Sequence, residues 1–274
     1  MGKGNCTIIE FPSKRLTVID VDNSKVEGDR ALTDPIVYLQ KKFEGQNIFR
    51  FILTHPDMDH MSGLDELSDK MSIINFWDTN HNKKMDDDDW ETSPYNKEDW
   101  EKYLEFRESE ENPKCLILRR GESADFWAQD NIEILSPSTG LEKLANEKSE
   151  YNHLSYVLMV KYAGVRILLG GDATKEAWEE ILKECGAKNL KADIFLAPHH
   201  GSEDNIHEEA FAQIAPDYVI VSVAEGCEYA REYYKKLAKR LVLSTKFYGN
   251  VDVYVDDDGK YKLYVEKNAG KIQD

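Results

Sequence analysis

The chain has 274 residues, of which 41% are hydrophobic, with 52 acidic residues against 35 basic ones and a formal net charge of −17. This length and apolar content suffice for the core of an enzyme-sized protein, while the acidity argues against a strong general nucleic-acid-binding surface. There is no signal-peptide pattern and no apolar run near the roughly 18 residues of a membrane span, so we expect a cytoplasmic protein without a membrane interaction.

The first third of the chain predicts alternating strands and helices. Apolar residues alternate with polar ones near the amino terminus, and Pro35 suits the first turn of a helix. The run before His55 is short, apolar and typical of a buried strand. In order, the predicted elements are a hairpin over 7–11 and 15–20, a helix over 35–43, a strand over 49–53, a helix from Asp59 onward and a strand over 71–77.

The composition changes between residues 78 and 113, which we interpret as an acidic, partly helical insertion in a single domain spanning 1–274. Its run of four aspartates, 86–89, lacks the alternating ligands and glycine of a calcium loop, so it indicates solvated charge. Trp77, Trp90 and Trp100 fit a lid over a site or core packing equally well. The insertion is also our candidate interface for a protein partner.

The second half continues the pattern, with a helix that Thr174 caps and Gly186 ends. The four scattered cysteines predict buried free thiols and no disulfide framework. The predicted elements are strands over 115–118 and 132–137, a hairpin over 156–160 and 165–169, a helix over 174–185, strands over 194–197 and 217–223, a helix over 229–241 and a hairpin over 251–255 and 261–265.

Potential metal ligands follow three of the predicted strands. The first strand end carries two histidines and two aspartates within residues 55–60, the second carries Asp172, and the third carries His199 and His200. Imidazole and carboxylate are ligands for divalent ions, and strand ends gather them in one cleft of an α/β protein. Together they predict a dinuclear metal site.

Each residue also has a structural interpretation. Asp172 alone would be a helix cap or turn residue, and the two adjacent histidines alone would suit a solvated loop. We expect His81 and His207 to be surface residues. Ser202 lacks the G-x-S-x-G elbow of a nucleophile.

These motifs resemble the metallo-β-lactamase superfamily, whose signature is H-x-H-x-D-H. The variant H-x-D-x-D-H-x-x-G-L, followed by N-x-x-S, L-x-G-G-D and P-H-H-G-S, is similar to the branch containing the hydrolase domain of the competence protein ComEC/Rec2. Gly2-x-Gly4-Asn5 matches that branch's opening G-x-G-D except for its last residue. The resemblance implies an α/β fold of four layers, the αβ/βα sandwich.

The resemblance also implies a ligand set for two divalent ions. It assigns His55 and Asp57 to the first ion, Asp59 and His60 to the second, Asp172 to a bridging position and His200 to the second ion. The family supplies one more histidine to the first ion, for which Asn152 or His153 is our candidate. Asp20 matches a position that orients a ligand by hydrogen bonding.

The same resemblance implies a metal-dependent hydrolase of a phosphodiester or nucleotide, such as a phosphodiesterase or nuclease. A water bridging the ions attacks, Asp59 or Asp172 holds or deprotonates it, and His199 steadies the developing charge or protonates the leaving oxygen. We favour Zn²⁺, with Mn²⁺ or Mg²⁺ as alternatives because Asp57 is a harder ligand than histidine.

Three other functions fit the same residues. The ligands would also serve a hydrolase of a lactone or thioester. The fold could act as a defence or regulatory subunit that is active only with a partner. It could also be a metal-binding scaffold without catalysis.

Overall fold

The computed structural model describes residues 4–23, 33–123 and 129–271. The chain forms two compact units, Met1–Leu118 with Glu142–Leu154, and Arg119–Leu141 with Ser155–Asp274. Each unit holds one mixed β-sheet together with helices, which confirms the predicted α/β class. Within the described ranges, every helix is too short or too polar to cross a membrane.

The first unit is built on a five-stranded sheet in the order β1-β2-β4-β6-β7, in which only the β1–β2 pair is antiparallel. The short strands β3 and β5 pair with each other in parallel. Its elements are the strands β1 (Thr7–Glu10), β2 (Leu16–Ile19), β3 (Val21–Asp22), β4 (Ile48–Ile52), β5 (Met61–Ser62), β6 (Ile73–Asp78) and β7 (Lys114–Ile117), and the helices α1 (Pro35–Lys42), α2 (Leu64–Lys70), α3 (Asp87–Trp90) and α4 (Lys97–Arg107).

The central strands of this sheet are buried, which holds their carboxyl ends in place. Phe51 of β4 stacks on Phe76 of β6 with ring centroids 5.8 Å apart, and both side chains are fully buried. The parallel pairing of β2, β4 and β6 brings their carboxyl ends to one edge. Residues 53–60 leave the sheet at that edge.

The predicted helix from Asp59 onward is wrong in its start. Residues Met58–His60 form one turn of 3-10 helix, Met61 and Ser62 pair with β3, and α2 begins only at Leu64. Gly63 precedes α2 with φ 95°, a left-handed conformation that glycine adopts without strain. The backbone between Asp59 and Leu64 therefore forms a 3-10 turn and a short strand, and it is not part of the helix.

The acidic insertion is an integral part of the first unit's core. Trp100, Tyr103 and Phe106 lie on the inner face of α4 and are buried in the same cluster as Phe51 and Phe76. Core packing is thus the correct interpretation of Trp100, and of Trp77, which is fully buried in β6. The four aspartates 86–89 are exposed around α3, as solvated charges should be.

Helix α5 (Thr139–Lys148) begins in the second unit, after that unit's first strand, and its remaining residues belong to the first unit. The second unit has a six-stranded sheet in the order β13-β12-β11-β10-β9-β8, parallel from β10 to β13 and antiparallel elsewhere. The strands of this sheet are β8 (Ile132–Ser136), β9 (Val157–Tyr162), β10 (Val165–Leu169), β11 (Ile194–Leu196), β12 (Tyr218–Val221) and β13 (Leu241–Ser244). Strands β14 (Val251–Val255) and β15 (Tyr261–Val265) form a separate antiparallel pair. The helices of the unit are α6 (Lys175–Cys185), α7 (Ala187–Leu190), α8 (Glu208–Ile214), α9 (Arg231–Leu237) and α10 (Thr245–Tyr248).

An aromatic cluster packs helices against this sheet. Trp178 of α6, Phe195 of β11 and Phe211 of α8 meet edge to face, with centroids 5.1 to 5.8 Å apart. All three side chains are fully buried. The cluster fixes the carboxyl ends of β10 and β11, from which the second group of candidate ligands extends.

The predicted helix over 229–241 is too long. Helix α9 ends at Leu237, and residues 241–244 form strand β13. The backbone N–H groups of Lys239 and Arg240 donate to the carbonyls of Pro216 and Asp217, which leads the chain into parallel pairing with β12. The sequence analysis also did not predict helices α5 and α8. The four cysteines are free, as predicted, and only partly buried.

Candidate metal centre

Asp20 organises the first group of candidate ligands, at the end of β2. Its carboxylate accepts from the Thr54 backbone N–H at 2.8 Å and from the Thr54 hydroxyl at 2.8 Å, and it lies 2.7 Å from His60 Nδ1. The carboxylate is fully buried. Because a carboxylate only accepts, His60 carries its proton on Nδ1, and Nε2 keeps the lone pair that binds metals.

The same reasoning assigns the tautomer of His55. Thr54 has one hydroxyl hydrogen, which goes to Asp20, so its oxygen accepts from His55 Nδ1 at 3.1 Å. The Nε2 of His55 then faces Asp57 Oδ2 at 3.3 Å. The Nε2 of His60 faces Asp59 Oδ2 at 3.8 Å. Both histidines thus turn a lone pair toward a neighbouring aspartate.

Gly4 allows the amino terminus to lie against this loop. Its N–H donates to Asp22 Oδ2 at 2.7 Å, and a Cβ at this position would lie 1.7 Å from the backbone oxygen of Asp59. Only glycine permits that approach. The close approach to Asp59 therefore explains why the opening motif has glycine at position 4. Gly2 lies outside the described residues.

Asp57 has a cationic neighbour, Lys83, that the sequence analysis missed. The Nζ of Lys83 donates to Asp57 Oδ1 and, at 2.8 Å, to the backbone carbonyl of Pro56. Burial acts to raise the pKa of Asp57, whereas the ammonium group of Lys83 acts to lower it. No motif marks Lys83, because only folding brings residues 26 positions apart together.

The second unit presents its own group at the ends of β10 and β11. Asp172 is buried, its N–H donates to Ser155 Oγ at 3.2 Å, and its Oδ2 lies 3.6 Å from His200 Nε2 and 3.9 Å from His199 Nε2. The Nδ1 of His200 lies 3.0 Å from the Ser222 carbonyl. A carbonyl also only accepts, so His200 shares the tautomer of His55 and His60.

Both groups contain strained backbone. Asp20, His199 and His200 have φ values of 58°, 48° and 54°, in the left-handed region that side chains other than glycine seldom adopt. Such strain persists only where surrounding structure enforces it, and it concentrates at functional sites. Here the strained backbone sets the direction of the Asp20 carboxylate and of the His199 and His200 imidazoles.

Within each unit the donors suit a divalent cation. Ligands of one tetrahedral zinc ion, each about 2.0–2.2 Å from it, lie roughly 3.3–3.5 Å apart. The separations of 3.3 Å for His55–Asp57, 3.6 Å for His200–Asp172 and 3.8 Å for His60–Asp59 are close to that value. Lone pairs facing a carboxylate at such distances repel each other unless a cation lies between them, so the residues fit the implied metal.

The remaining candidates have mixed outcomes. His153 is buried in a 3-10 turn with Nε2 3.1 Å from Glu150 Oε2, and Asn152 precedes it in that turn. Their roles as ligands stay predictions. His207 caps α8 by accepting from the Ala210 N–H at 3.2 Å. The expectation that His81 is a surface residue is wrong, because its side chain is only 2% exposed.

His81 belongs to a buried polar network behind the ligand loop. Its ring contacts the Tyr103 hydroxyl and Arg107, and Arg107 lies 3.0 Å from Asp78 Oδ2. Burial and the nearby cation Arg107 lower the pKa of His81 to about 3. Burial also raises the pKa of Asp78 to about 6, despite the opposing effect of Arg107.

Asp78 should make stability depend on pH. The pKa of Asp78 is about 6 in the folded chain, against about 3.9 for an aspartate in water, so the native state binds more protons between these values. Stability should therefore fall, by about 2–3 kcal/mol, as pH rises from 4 through 6. Urea unfolding across this range should show the fall in the parent relative to Asp78→Asn. Parallel pH profiles for the two proteins would contradict the assignment.

The model of the metallo-β-lactamase superfamily matches residues 1–225. ComE operon protein 3 of Bacillus subtilis (strain 168) is 30% identical over 106 residues, which are 39% of this chain and only 13% of that protein. The structure of Igni18, a metallo hydrolase from the archaeon Ignicoccus hospitalis KIN4/I, covers 97% of both chains with a TM-score of 0.51 and 14% identity. At that identity the likeness shows the fold alone.

Proposed function

Because the chain belongs to the metallo-β-lactamase superfamily of metal-dependent hydrolases, we propose that it hydrolyses a phosphodiester bond in a nucleotide or a single nucleic-acid strand. The family and the α/β fold are shown by the comparisons. The choice of substrate is our inference from the ligand chemistry and from the resemblance to the ComEC-like branch.

The observation that carries the proposal is the carboxylate-rich first ligand group. Asp57 stands where the family's signature has its second histidine, and its Oδ2 faces His55 Nε2 at 3.3 Å. Oxygen ligands suit Mn²⁺ and Mg²⁺, which also bind phosphate oxygens, better than an all-histidine position does. Zn²⁺ remains our first choice for the native ion because the group keeps two imidazoles.

The ligand order shared with the family assigns the residues of the two groups to two divalent ions. We propose His55 and Asp57 for the first ion, Asp59, His60 and His200 for the second, and Asp172 for both. When bound, such ions lower the pKa of a coordinated water to about 7 and polarise the oxygen under attack. Asn152 or His153 remains our candidate for the first ion's further ligand.

The chain's own groups then handle protons. We assign Asp59, whose side chain is 28% exposed, the role of holding the attacking water and accepting its proton. Asp172 is the alternative base. His199 has the most exposed imidazole of its group, at 37%, so we assign it the proton that the leaving oxygen takes up.

The formal charge of −17 limits the substrate. A long duplex would meet general repulsion, whereas a small nucleotide or a single strand presented locally would meet less. If a strand is the substrate, modest salt should inhibit the reaction strongly through lost phosphate contacts.

A substrate screen tests the proposal. The protein is supplied with Zn²⁺, Mn²⁺ or Mg²⁺ and offered bis-p-nitrophenyl phosphate, single-stranded DNA, cyclic nucleotides and a lactone, with Asp59→Ala as the control. Turnover of at least one phosphodiester by the parent alone supports it. If the protein hydrolyses the lactone but none of the phosphodiester substrates, the lactone or thioester alternative is correct instead.

The acidic insertion motivates one alternative, a subunit that is active only with a protein partner. Helix α4 buries its aromatic face in the core and leaves Glu98, Glu101 and Glu105 exposed, which would suit a basic partner. Full turnover by the purified chain would contradict this alternative. Metal binding with no turnover of any substrate would instead favour a scaffold.

A further inference from the structure

Lys83 lies at the first ligand group although no ligand motif includes it. Its Nζ donates to Asp57 Oδ1 and to the Pro56 carbonyl, while the other oxygen of Asp57 faces His55 Nε2 at 3.3 Å. Its side chain is 18% exposed, whereas the neighbouring Lys84 is exposed. One carboxylate is thus shared between an ammonium group and a candidate metal-binding imidazole.

The segment that carries Lys83 is anchored to α4. The backbone N–H of Lys83 donates to His81 Nδ1 at 3.1 Å, and Arg107 donates to the His81 carbonyl at 2.9 Å. The His81 ring stacks on Tyr103 with centroids 6.0 Å apart. The residue two positions before Lys83 is therefore held in the core.

Asn82 anchors the same segment on its other side. Its N–H donates to Asn146 Oδ1 at 2.8 Å, and the Tyr151 hydroxyl donates to Asn82 Oδ1 at 3.0 Å. The Nζ of Lys83 also lies 5.4 Å from the centre of the Tyr151 ring. A lysine loses much rotamer freedom when it is ordered, and the contacts of its ammonium group with Asp57, Pro56 and Tyr151 offset part of that cost.

The charges explain why a cation is needed here. Asp57 replaces a neutral histidine of the family's signature with a carboxylate, which adds one negative charge. Lys83 adds one positive charge beside the same carboxylate, so the pair restores the net charge of the histidine pattern. An incoming divalent ion would meet a carboxylate that is already paired, and it would be repelled by the ammonium group.

We propose that Lys83 is an internal counter-cation of the first ligand group, which competes with a metal ion for Asp57 and makes the first ion the weaker and more exchangeable of the two. This inference rests on the metal-binding part of the proposed function and not on its substrate. Lys83 acts through Asp57 and is therefore a positioning residue.

The test is a count of bound metal in the full-length protein. After removal of metal with a chelator, Mn²⁺ and Zn²⁺ binding are measured by titration calorimetry and equilibrium dialysis for the parent and for Lys83→Met. We expect Lys83→Met to bind the weaker ion about tenfold more tightly, because a like charge beside the ion is gone. Lys83→Arg, which keeps the charge, and Lys84→Met, the matched surface control, should bind as the parent does.

Two further measurements protect the result against a folding defect. Lys83→Gln keeps a donor for the Pro56 carbonyl without the charge, and it should tighten binding as Lys83→Met does. Metal should also raise the thermal midpoint more in both neutral variants than in the parent, since a tighter ligand stabilises the native state further. In an Asp57→Asn background, adding Lys83→Met should tighten metal binding less than it does in the parent, because the competition for Asp57 is gone and only the repulsion by the ammonium group is removed.

Equal or weaker metal binding in both neutral variants would overturn the inference, as would an undiminished effect in the Asp57→Asn background. Failure of the parent to cleave any phosphodiester, with the metal result intact, would overturn the proposed substrate and leave the role of Lys83 standing. Absence of metal binding in the parent would overturn both.

Discussion

Asp59→Asn should lower phosphodiester hydrolysis by about 10³-fold or more while the protein stays folded. The carboxylate lies beside His60 Nε2 at 3.8 Å, on a turn outside the hydrophobic core. Asparagine keeps the size of the side chain but removes the charge that would bind an ion and accept a proton. The rate constants of parent and variant are compared at saturating metal.

A matched control is available in the same unit. Asp69 is an exposed aspartate near the end of α2, and Asp69→Asn removes the same charge away from the ligand loop. Its rate should equal that of the parent. If Asp59→Asn retained more than about a tenth of the parent's rate, Asp59 would not be the base or an essential ligand.

Asp20→Ala should have the largest effect on stability. It removes a fully buried carboxylate on which the Thr54 N–H, the Thr54 hydroxyl and His60 Nδ1 all converge. Loss of these partners should lower the free energy of unfolding by about 3–5 kcal/mol, as measured by urea denaturation. Because His60 also loses the group that fixes its tautomer, metal affinity should fall by about 10–100-fold.

Asp20→Asn separates the two effects. Asparagine tolerates the left-handed backbone of this position, where φ is 58°, and can still accept from the Thr54 N–H. It should therefore lose less stability than alanine yet bind metal more weakly than the parent. Metal affinity equal to that of the parent in both variants would show that Asp20 serves the fold only.

The sequence was most informative where a local pattern of residue types specifies one structure or one kind of chemistry. Alternating apolar residues located the terminal hairpins, and Thr174 and Gly186 marked both ends of α6, as the structure shows. The ligand cluster at 55–60 was evident because two imidazoles and two carboxylates within six residues are far denser than in an average surface loop. Asp20, which the family resemblance puts beside a candidate ligand, lies 2.7 Å from His60 Nδ1.

Elements that depend on distant partners were missed or misplaced. The start of α2 was set too early because the apolar spacing of Met61, Leu64 and Leu67 suits a helix, while pairing with β3 takes Met61 into a strand. Strand β13 was not predicted, and the predicted helix over 229–241 reached its first residue, because the parallel pairing of β13 with β12 is not visible locally. His81 looked like a surface residue since its partners Tyr103 and Arg107 lie more than twenty positions away.

The sequence by itself determined the family, the α/β class and the identity of the candidate ligands, because these follow from residue types at set spacings. Only the tertiary structure decided how the ligands are held. It showed that Asp20, Thr54 and the Ser222 carbonyl select one tautomer of three histidines, and that the loop after β6 delivers Lys83 to Asp57. Hydrogen bonds and ion pairs of this kind join residues far apart in the chain, so their partners become known only when the chain is folded.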